Sequence, residues 1–367
     1  MKLILFRSNN IFDSRVNKYH NYYERAKIDY TIVGWDRKSE GLNKPHYDFF
    51  RYRAGKAIGG VRAILNHLKW MQFVYRYLKQ HSDVTSIHAC DLNSAFPAAL
   101  YKTFTKRNVT LIFDVCDWFS ANFAQNKLLS GCFSLMERFT CRKANELIIC
   151  EPERIEQITF PLSKFPLVLP NIPEIDEHVL ENDNEQYHFE NQWPTIAYFG
   201  GFTSDRFLIQ LIDVVQKEKI NLLIGGYGNT LIENRLNEVN TAKNIRWFGQ
   251  MTMKDGLIMS SKADVIYAMY CKTTPNHIYA APNKYYEAML LAKPIITTKG
   301  TILGEKVLKN NTGYVIEESE QELHQLLLSL NRHDMRTKGN NARKLWDSKY
   351  RDYISTFFTT TYSNIIK

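Results

Sequence analysis

The sequence predicts an α/β protein with two domains, each built on a parallel sheet flanked by helices. Its 367 residues exceed what one hydrophobic core usually serves. Apolar residues make up 44% of the chain and aromatic residues 13%, which is enough to fill two cores. Short apolar segments also alternate with helical patterns in both halves, and such alternation is typical of parallel sheets.

The first half opens with apolar strands at 2–6 and 30–35, and another apolar strand is predicted at 146–150. A helix is predicted over 60–80 because apolar residues recur at helical spacing, at Ile64, Leu68, Met71, Tyr75 and Leu78. Another face of this helix carries three basic residues seven positions apart, Arg62, Lys69 and Arg76. A solvated face explains this pattern, and docking on an anionic membrane is the alternative.

Two further strands, at 85–91 and 109–117, end in carboxylates. Ligands of open parallel sheets bind beyond the carboxyl ends of the strands. Asp91 and Asp117 are therefore the candidates for acid or base catalysis. Either side chain could instead cap the helix that follows it.

The charge of the chain is divided unevenly. Residues 1–170 hold 25 Lys and Arg against 15 Asp and Glu, whereas residues 171–367 hold 22 against 23. The basic half indicates either a polyanionic partner, such as a lipid diphosphate or an anionic membrane surface, or simply a soluble basic domain. No nucleic-acid-binding motif accompanies it, so we expect no nucleic-acid partner.

We expect a cytoplasmic protein, active at the inner face of the cytoplasmic membrane. The apolar run at the start is too short for a signal peptide, and no segment reaches the roughly 18 consecutive apolar residues of a membrane span. The six cysteines contain no C-x-x-C pair, and we interpret them as buried, reduced thiols without zinc.

Four prolines between 161 and 173 place the domain boundary near 170. The acidic stretch 174–192, with Glu181, Asp183 and Glu185, is interpreted as a solvated linker rather than a metal site.

The second half restarts the alternation, with a strand and two glycines at 195–201, a helix at 206–217 and a strand at 220–224. The Gly226-x-Gly228 pair follows, but Leu231 occupies the third position of a dinucleotide fingerprint, which disfavours an oxidoreductase. Backbone amides could still approach a phosphate or a base at Gly226. Strands at 245–249 and 263–267 complete this pattern.

Residues 281–298 contain the strongest candidate site. Pro282 and Asn283 open a helix, with Asn283 as the predicted N-cap, and Pro294 ends it before a strand at 295–298. Lys284 and Glu287 share one helical face. A nucleoside diphosphate needs a cation for its phosphates and a carboxylate for its ribose, and this pair supplies both. By themselves, however, the two residues would also fit a surface ion pair.

The order of motifs in this half resembles the donor-binding domain of glycosyltransferase family 4 and its GT-B relatives. The matching segments are 198–201 (Tyr-Phe-Gly-Gly), 222–228 (Leu-Leu-Ile-Gly-Gly-Tyr-Gly), 247–249 (Trp-Phe-Gly), 263–265 (Ala-Asp-Val), 282–288 (Pro-Asn-Lys-Tyr-Tyr-Glu-Ala) and 293–296 (Lys-Pro-Ile-Ile). The resemblance implies two Rossmann-like domains whose parallel sheets face a central cleft. It implies an acceptor domain at 1–170, a donor domain at 171–345 and a terminal helix at 346–367 that crosses back to the first domain.

The resemblance also implies roles for individual residues. Glu287 would bind the ribose, Lys284 and Arg206 the diphosphate, and Gly200 and Gly201 would approach the donor by their backbone. Gly226 and Asn283 belong to the same implied donor site. The loop containing Gly59 and Gly60 lies where GT-B enzymes place a glycine-rich phosphate loop, although a flexible helix lead-in explains it equally well. The co-substrate would be a nucleoside-diphosphate sugar such as a UDP-sugar, with no metal and no other cofactor.

One position departs from the family. Retaining members carry a second glutamate eight residues before the ribose-binding one, and this sequence has Tyr279 there. An inverting enzyme would need Asp117 or Asp91 as its base, whereas in a retaining enzyme they would orient the acceptor. We expect the enzyme to transfer a sugar to a lipid-linked saccharide acceptor during the assembly of a bacterial surface polysaccharide. The alternatives are a non-catalytic module that binds a glycan or a partner enzyme, and a UDP-sugar epimerase of the same fold.

Overall fold

The computed structural model describes residues 2–9, 13–37, 40–53, 60–175, 177–181 and 189–366. It divides into two compact units. The first comprises residues 1–170 together with 354–367, and the second comprises residues 171–353. The second division therefore falls later than position 346, where the sequence predicts the terminal segment to begin. None of the described helices is long and apolar enough to span a membrane.

The first unit contains a seven-stranded, all-parallel sheet in the order β3-β2-β1-β4-β5-β6-β7. Its strands are β1 (Lys2–Arg7), β2 (Asp29–Trp35), β3 (Tyr47–Phe50), β4 (Ser86–Cys90), β5 (Thr110–Val115), β6 (Glu146–Ile149) and β7 (Leu167–Val168). The connecting helices are α1 (Ser14–Arg25), α2 (Gly60–Gln80), α3 (Leu92–Thr105), α4 (Phe119–Asn122) and α5 (Lys127–Lys143), followed by a 3-10 turn at Pro152–Gln157. The central strands are buried on both faces, as expected of a parallel sheet covered by helices.

The last residues of the chain complete the first unit. The hydroxyl of Tyr362 lies 2.6 Å from the hydroxyl of Tyr23 in α1 and 2.8 Å from Nδ1 of His88 in β4. The ring of Phe358 stacks on Tyr22 with 4.8 Å between the ring centroids. The face of the sheet that carries α1 is therefore closed by a segment that is more than three hundred residues away in sequence.

The second unit contains a six-stranded parallel sheet in the order β10-β9-β8-β11-β12-β13. Its strands are β8 (Thr195–Phe199), β9 (Asn221–Gly225), β10 (Ile245–Trp247), β11 (Val265–Ala268), β12 (Ile295–Thr298) and β13 (Gly313–Ile316). Its helices are α6 (His178–Glu181), α7 (Leu208–Lys217), α8 (Thr230–Glu238), α9 (Met253–Ser261), α10 (Pro275–Ile278), α11 (Asn283–Leu290), α12 (Ile302–Asn310), α13 (Glu320–Ser329) and α14 (Arg332–Leu345). A 3-10 turn at Ser204–Arg206 precedes α7, and a π-helical turn at Trp346–Tyr350 follows α14.

The terminal segment is helical but irregular. It consists of α15 (Tyr353–Thr356), a π-helical stretch at Phe357–Tyr362 and α16 (Ser363–Ile366). The π-type widening alters the helical period, and Phe357, Phe358 and Tyr362 are nevertheless all buried.

Three strands lie outside the sequence prediction, namely β3, β7 and β13. The helix α2 has the predicted limits, but its buried face is shifted. Trp70 and Val74 are fully buried, whereas Leu68, which was predicted to face the core, is 52% exposed. Trp70 is held there by stacking on Trp35, with ring centroids 6.0 Å apart, and by an N–H···O bond to Ser94.

The predicted solvated linker is partly anchored. Glu177 accepts hydrogen bonds from Arg343 and Arg351 and from the indole N–H of Trp346. Asp183 and Glu185 lie outside the described residues. These contacts tie the start of the predicted solvated linker to the end of the second unit.

Candidate functional site

A cavity of about 460 Å³ opens in the second unit beyond the carboxyl ends of β8 and β9. Its walls come from three places: the glycines that follow these two strands, the start of α9, and the start of α11. The lining residues are Phe199, Gly200, Gly201, Gly225, Gly226, Tyr227, Met251, Thr252, Met253, Gly256, Leu257, Tyr270, Pro282, Asn283, Lys284 and Glu287. This is the position at which open α/β sheets bind their ligands.

At Gly200 and Gly226 a side chain would collide with its surroundings, whereas a Cβ on Gly201 would meet no atom within 4 Å. A Cβ on Gly226 would lie 1.9 Å from the carbonyl oxygen of Gly200, and Gly226 has a φ of +154°. A Cβ on Gly200 would lie 2.7 Å from Nζ of Lys284. The backbone N–H groups of both glycines are used within the unit, since Gly200 donates to Gly225 and Gly226 donates to Gly249. At these two positions a ligand would thus be admitted by the missing side chain and not by a free amide.

Lys284 and Glu287 both reach the cavity from the first turns of α11. The ammonium of Lys284 lies 4.8 Å from the centroid of the Tyr198 ring. Burial lowers the pKa of Lys284, while the carboxylate of Glu287 raises it and the charge of Arg206 lowers it. A lysine in this environment gains from an anionic ligand, because the anion offsets the cost of burying the charge.

Arg206 is a second positive residue close to Lys284, but it does not line the cavity itself. Its guanidinium lies 4.1 Å from the centroid of the Tyr270 ring, and Tyr270 lines the cavity. Its Nη1 is buried without a hydrogen bond to any described residue and lies 3.8 Å from Oδ1 of Asp205. Its charged neighbour is therefore Asp205, and the guanidinium packs against a wall of the cavity through Tyr270.

Two residues that the sequence analysis did not single out hold the Arg206 segment in place. Oδ2 of Asp205 lies 3.2 Å from Nε2 of His277, and Nδ1 of His277 lies 2.9 Å from the carbonyl oxygen of Cys271. The backbone N–H of Cys271 in turn donates to the carbonyl of Asp205. These contacts join the 3-10 turn before α7 to α10, and no local sequence pattern would reveal them.

The start of α11 differs from the prediction in one respect. Pro282 is the N-cap, and Asn283 is the first helical residue and not the cap. Asn283 still lines the cavity, together with Pro282. The positive end of the helix is therefore directed at the cavity, where it favours a negative ligand.

In the first unit, Asp91 is engaged by the fold. Its Oδ2 accepts a 2.6 Å hydrogen bond from Arg7, and its Oδ1 accepts the backbone N–H of Cys116. Its backbone has a φ of +63°, in the left-handed region that side-chain-bearing residues rarely adopt. Its side chain makes no capping bond to α3, so the capping alternative is wrong here. Burial raises the pKa of Asp91, and Arg7 opposes that shift.

Asp117 is more accessible, with 56% of its side chain exposed. Its Oδ1 accepts a 3.0 Å hydrogen bond from the buried Arg154. The following helix, α4, is capped by Trp118 without a side-chain bond, so Asp117 does not cap it either. Of the two acid or base candidates, Asp117 is therefore the one whose carboxylate reaches solvent.

A buried ionic cluster next to these residues was not anticipated. Asp114 accepts hydrogen bonds from Arg15 and from the hydroxyl of Tyr19, and it lies 3.3 Å from Nε2 of His88. Arg15 holds the pKa of Asp114 well below its usual range against the opposing effect of burial. Cys90, His88 and Asp114 are close enough to ligate a metal ion. The guanidinium of Arg15 already neutralises the carboxylate, however, and would repel a cation.

The remaining candidates concern the glycine loop and the thiols. Gly59 lies outside the described residues, and Gly60 is the first residue of α2. All six cysteines are free. The expectation that all are buried is wrong for Cys132, which is exposed on α5.

Comparison with known proteins relates the second unit to a known family. Residues 194–333, which include every residue that lines the cavity, match the family model described as Glycosyl transferases group 1. No curated protein sequence matches the chain. Among solved structures, HepE from Anabaena in complex with UDP and glucose is 12% identical, with a TM-score of 0.70 over 100% of this chain and 99% of that chain. The second unit thus matches a glycosyltransferase family model over residues 194–333, and the chain has the GT-B fold.

Two other similar structures agree with this GT-B fold. An E. coli structure described as trehalose-6-phosphate bound with UDP-2-fluoro glucose is 8% identical, with a TM-score of 0.72 over 100% of this chain and 99% of that chain. The lipopolysaccharide outer core galactosyltransferase WaaB is 13% identical, with a TM-score of 0.61 over 99% of this chain and 100% of that chain. At these identities the likeness concerns the fold, and the chemistry of this protein has to be argued from its own residues.

Proposed function

We propose that this protein is a glycosyltransferase that moves a sugar from a UDP-sugar to a saccharide acceptor. The observation that carries the proposal is that Lys284 and Glu287 line a single cavity of the second unit, with Arg206 packed against Tyr270, which lines it too. Lys284 and Arg206 supply positive charge for a diphosphate, and Glu287 supplies an acceptor for the ribose hydroxyls. HepE and the E. coli relative are described with UDP or a UDP-sugar bound, which supports uridine as the base.

The same residues would assist the chemical step. As the glycosidic bond breaks, negative charge develops on the leaving diphosphate, and preorganised positive groups stabilise that charge. Lys284 and the positive end of α11 line the cavity where it would form, and Arg206 would add its charge through the wall formed by Tyr270. We therefore propose that transfer proceeds without a bound divalent metal.

For the acceptor we propose a lipid-linked saccharide, used at the inner face of the cytoplasmic membrane during assembly of a bacterial surface polysaccharide. The basic excess of residues 1–170 supports an acceptor that carries a diphosphate. WaaB, one of the similar structures, is described as acting on the lipopolysaccharide outer core. We propose Asp117 as the residue that meets the acceptor hydroxyl, as a base if the enzyme inverts and as an orienting group if it retains.

The donor site can be tested by thermal stabilisation with UDP, GDP, ADP and CMP. A ligand that binds only the folded protein raises its stability by mass action, by about 2.7 kcal/mol at a concentration of about 100 times Kd. We expect UDP to raise the melting temperature of the wild type and not that of Glu287→Ala. Glu305→Ala, an exposed glutamate of α12, is the matched control and should keep the full shift.

Other outcomes would change the proposal. If no nucleotide shifts the melting temperature, the non-catalytic module becomes the better explanation. Conversion of the UDP-sugar to its epimer in the absence of any acceptor would indicate an epimerase. The metal proposal is tested separately: EDTA should leave UDP-sugar turnover intact, and a loss that only a divalent ion restores would overturn it.

A further inference from the structure

We propose that the outer surface of α2, α3 and α5 docks the protein on an anionic membrane. This docking surface belongs wholly to the first unit, whereas the donor cavity belongs to the second. The docking proposal rests on the proposed function, because it assumes that the acceptor is linked to a lipid. It can nevertheless be tested without any sugar transfer.

The three helices form one layer. They connect β3 to β4, β4 to β5 and β5 to β6, and each of these crossovers moves in the same direction along the sheet. Right-handed crossovers in one direction place their helices on the same face of a parallel sheet. Ring contacts join the layer: Phe96 of α3 lies 5.9 Å from Phe139 of α5. Phe119 of α4 lies 5.5 Å both from His67 of α2 and from Phe133 of α5.

The layer is positive throughout. The helix α2 contains four basic residues and no acidic residue, and α3 contains one basic residue and no acidic residue. The helix α5 contains four basic residues and a single acid, Glu137. Glu137 is buried and accepts the backbone N–H of Ser120, so its carboxylate does not reach the surface. A membrane with anionic headgroups complements such a surface.

Exposed leucines accompany these charges. On α5, Leu128 is 78% exposed and Leu135 is 68% exposed, and they lie seven residues apart on one helical face. Leu65 and Leu68 protrude in the same way from α2. A merely solvated basic face would carry polar residues at these positions. Leucines set among Lys and Arg are typical of helices that lie in the membrane interface, where the leucine enters the acyl region and the cations meet the headgroups.

The position of the leucines suits the proposed acceptor. In both helices they fall in the first half, which begins at the carboxyl edge of the sheet. Asp91 and Asp117 lie at the same edge, after β4 and β5. A lipid anchor held by the docking surface would therefore bring its attached saccharide toward these strand ends.

The test is co-sedimentation with vesicles of defined composition. We expect the wild type to bind vesicles of phosphatidylcholine with about one third phosphatidylglycerol at low salt. It should not bind phosphatidylcholine alone, and about 0.5 M salt should weaken the binding because it screens the charges. Replacing Leu128 and Leu135 by serine should lower vesicle affinity at least about tenfold. The charge reversal of Lys69 and Arg76 to glutamate should do the same.

The second unit offers matched controls. Leu308 is 62% exposed and Leu328 is 58% exposed, and replacing both by serine should leave vesicle binding unchanged. All variants should keep the melting temperature of the wild type and its shift with UDP, which separates loss of docking from loss of folding or of the donor site. The proposal is overturned if the wild type ignores the anionic vesicles, if the control leucines matter as much, or if the layer binds RNA and not vesicles.

Discussion

The two sheets end differently at their carboxyl edges. In the second unit the strands β8 and β9 run into glycines, and a cavity of about 460 Å³ remains between these and the start of α11. In the first unit the corresponding edge is filled by ion pairs, of which Arg7 with Asp91 and Arg15 with Asp114 are buried. The same type of sheet, a parallel one, thus serves two purposes. One edge leaves room for a ligand, and the other is filled by ion pairs within the fold.

The difference has a consequence for mechanism. Both carboxylate oxygens of Asp91 already accept hydrogen bonds, from Arg7 and from the backbone N–H of Cys116. Asp91 would have to give up such a bond to accept a proton from a substrate. In the second unit, Lys284 and Glu287 line the cavity, and burial lowers the pKa of Lys284, so an anionic ligand would offset the cost of its charge. Substitutions at the two edges should therefore fail in different ways, the first through unfolding and the second through loss of ligand.

The largest effect is expected from Asp114→Ala. Removing one partner of a buried ion pair leaves the charge of Arg15 uncompensated, which typically costs about 3–5 kcal/mol of unfolding free energy. Denaturant unfolding monitored by circular dichroism measures this loss. The matched control is Asp213→Ala, which breaks a partly exposed pair with Arg235 and should cost about 1 kcal/mol or less. Equal costs would show that the first edge does not depend on its buried charge.

Gly226→Ala should show the opposite behaviour. The added Cβ would overlap the carbonyl of Gly200, so we expect UDP affinity to fall at least about tenfold, with a stability loss of about 1–3 kcal/mol. Calorimetric titration with UDP measures the affinity. Gly131→Ala, at an exposed helical position with open space around it, is the control and should leave UDP affinity unchanged. An unaltered affinity in Gly226→Ala would mean that the cavity does not need this glycine.

The buried ion pair should also appear in the pH dependence of stability. The folded pKa of Asp114 is lowered, so its contribution is fully present above the unfolded carboxyl pKa of about 3.9 and is lost as pH falls toward the folded value. The gap in melting temperature between wild type and Asp114→Asn should be constant above about pH 5 and should narrow below about pH 4. A gap that stays constant down to pH 3, about one unit below the free carboxyl pKa, would contradict an effect of charge.

The smallest effect is expected from Tyr362→Phe. This change removes a hydroxyl that contacts Tyr23 and His88 and keeps the ring, so about 1–2 kcal/mol should be lost. Denaturant unfolding should reveal the loss without any change in UDP binding. A variant with wild-type stability would show that ring packing alone holds the segment.

The sequence predicts local features well and distant ones poorly. Lys284 and Glu287 are three residues apart on one short helix, so their spacing alone brings them together. Arg15 and Asp114 are 99 residues apart, and no pattern in either segment predicts that they form an ion pair. The same limit applies within α2, where two overlapping apolar stripes are available. Only the stacking of Trp70 on Trp35 selects the one that faces the core.

The first unit is discontinuous in sequence, since residues 354–367 complete a body that begins at the start of the chain. During synthesis, the second unit is available as one uninterrupted stretch before the terminal segment has been made. Tyr23 and His88 must therefore wait for Tyr362, the last-made of the three partners. A truncation that removes residues 354–367 should therefore leave the second unit able to fold, while the first unit loses the partner that Tyr23 and His88 share.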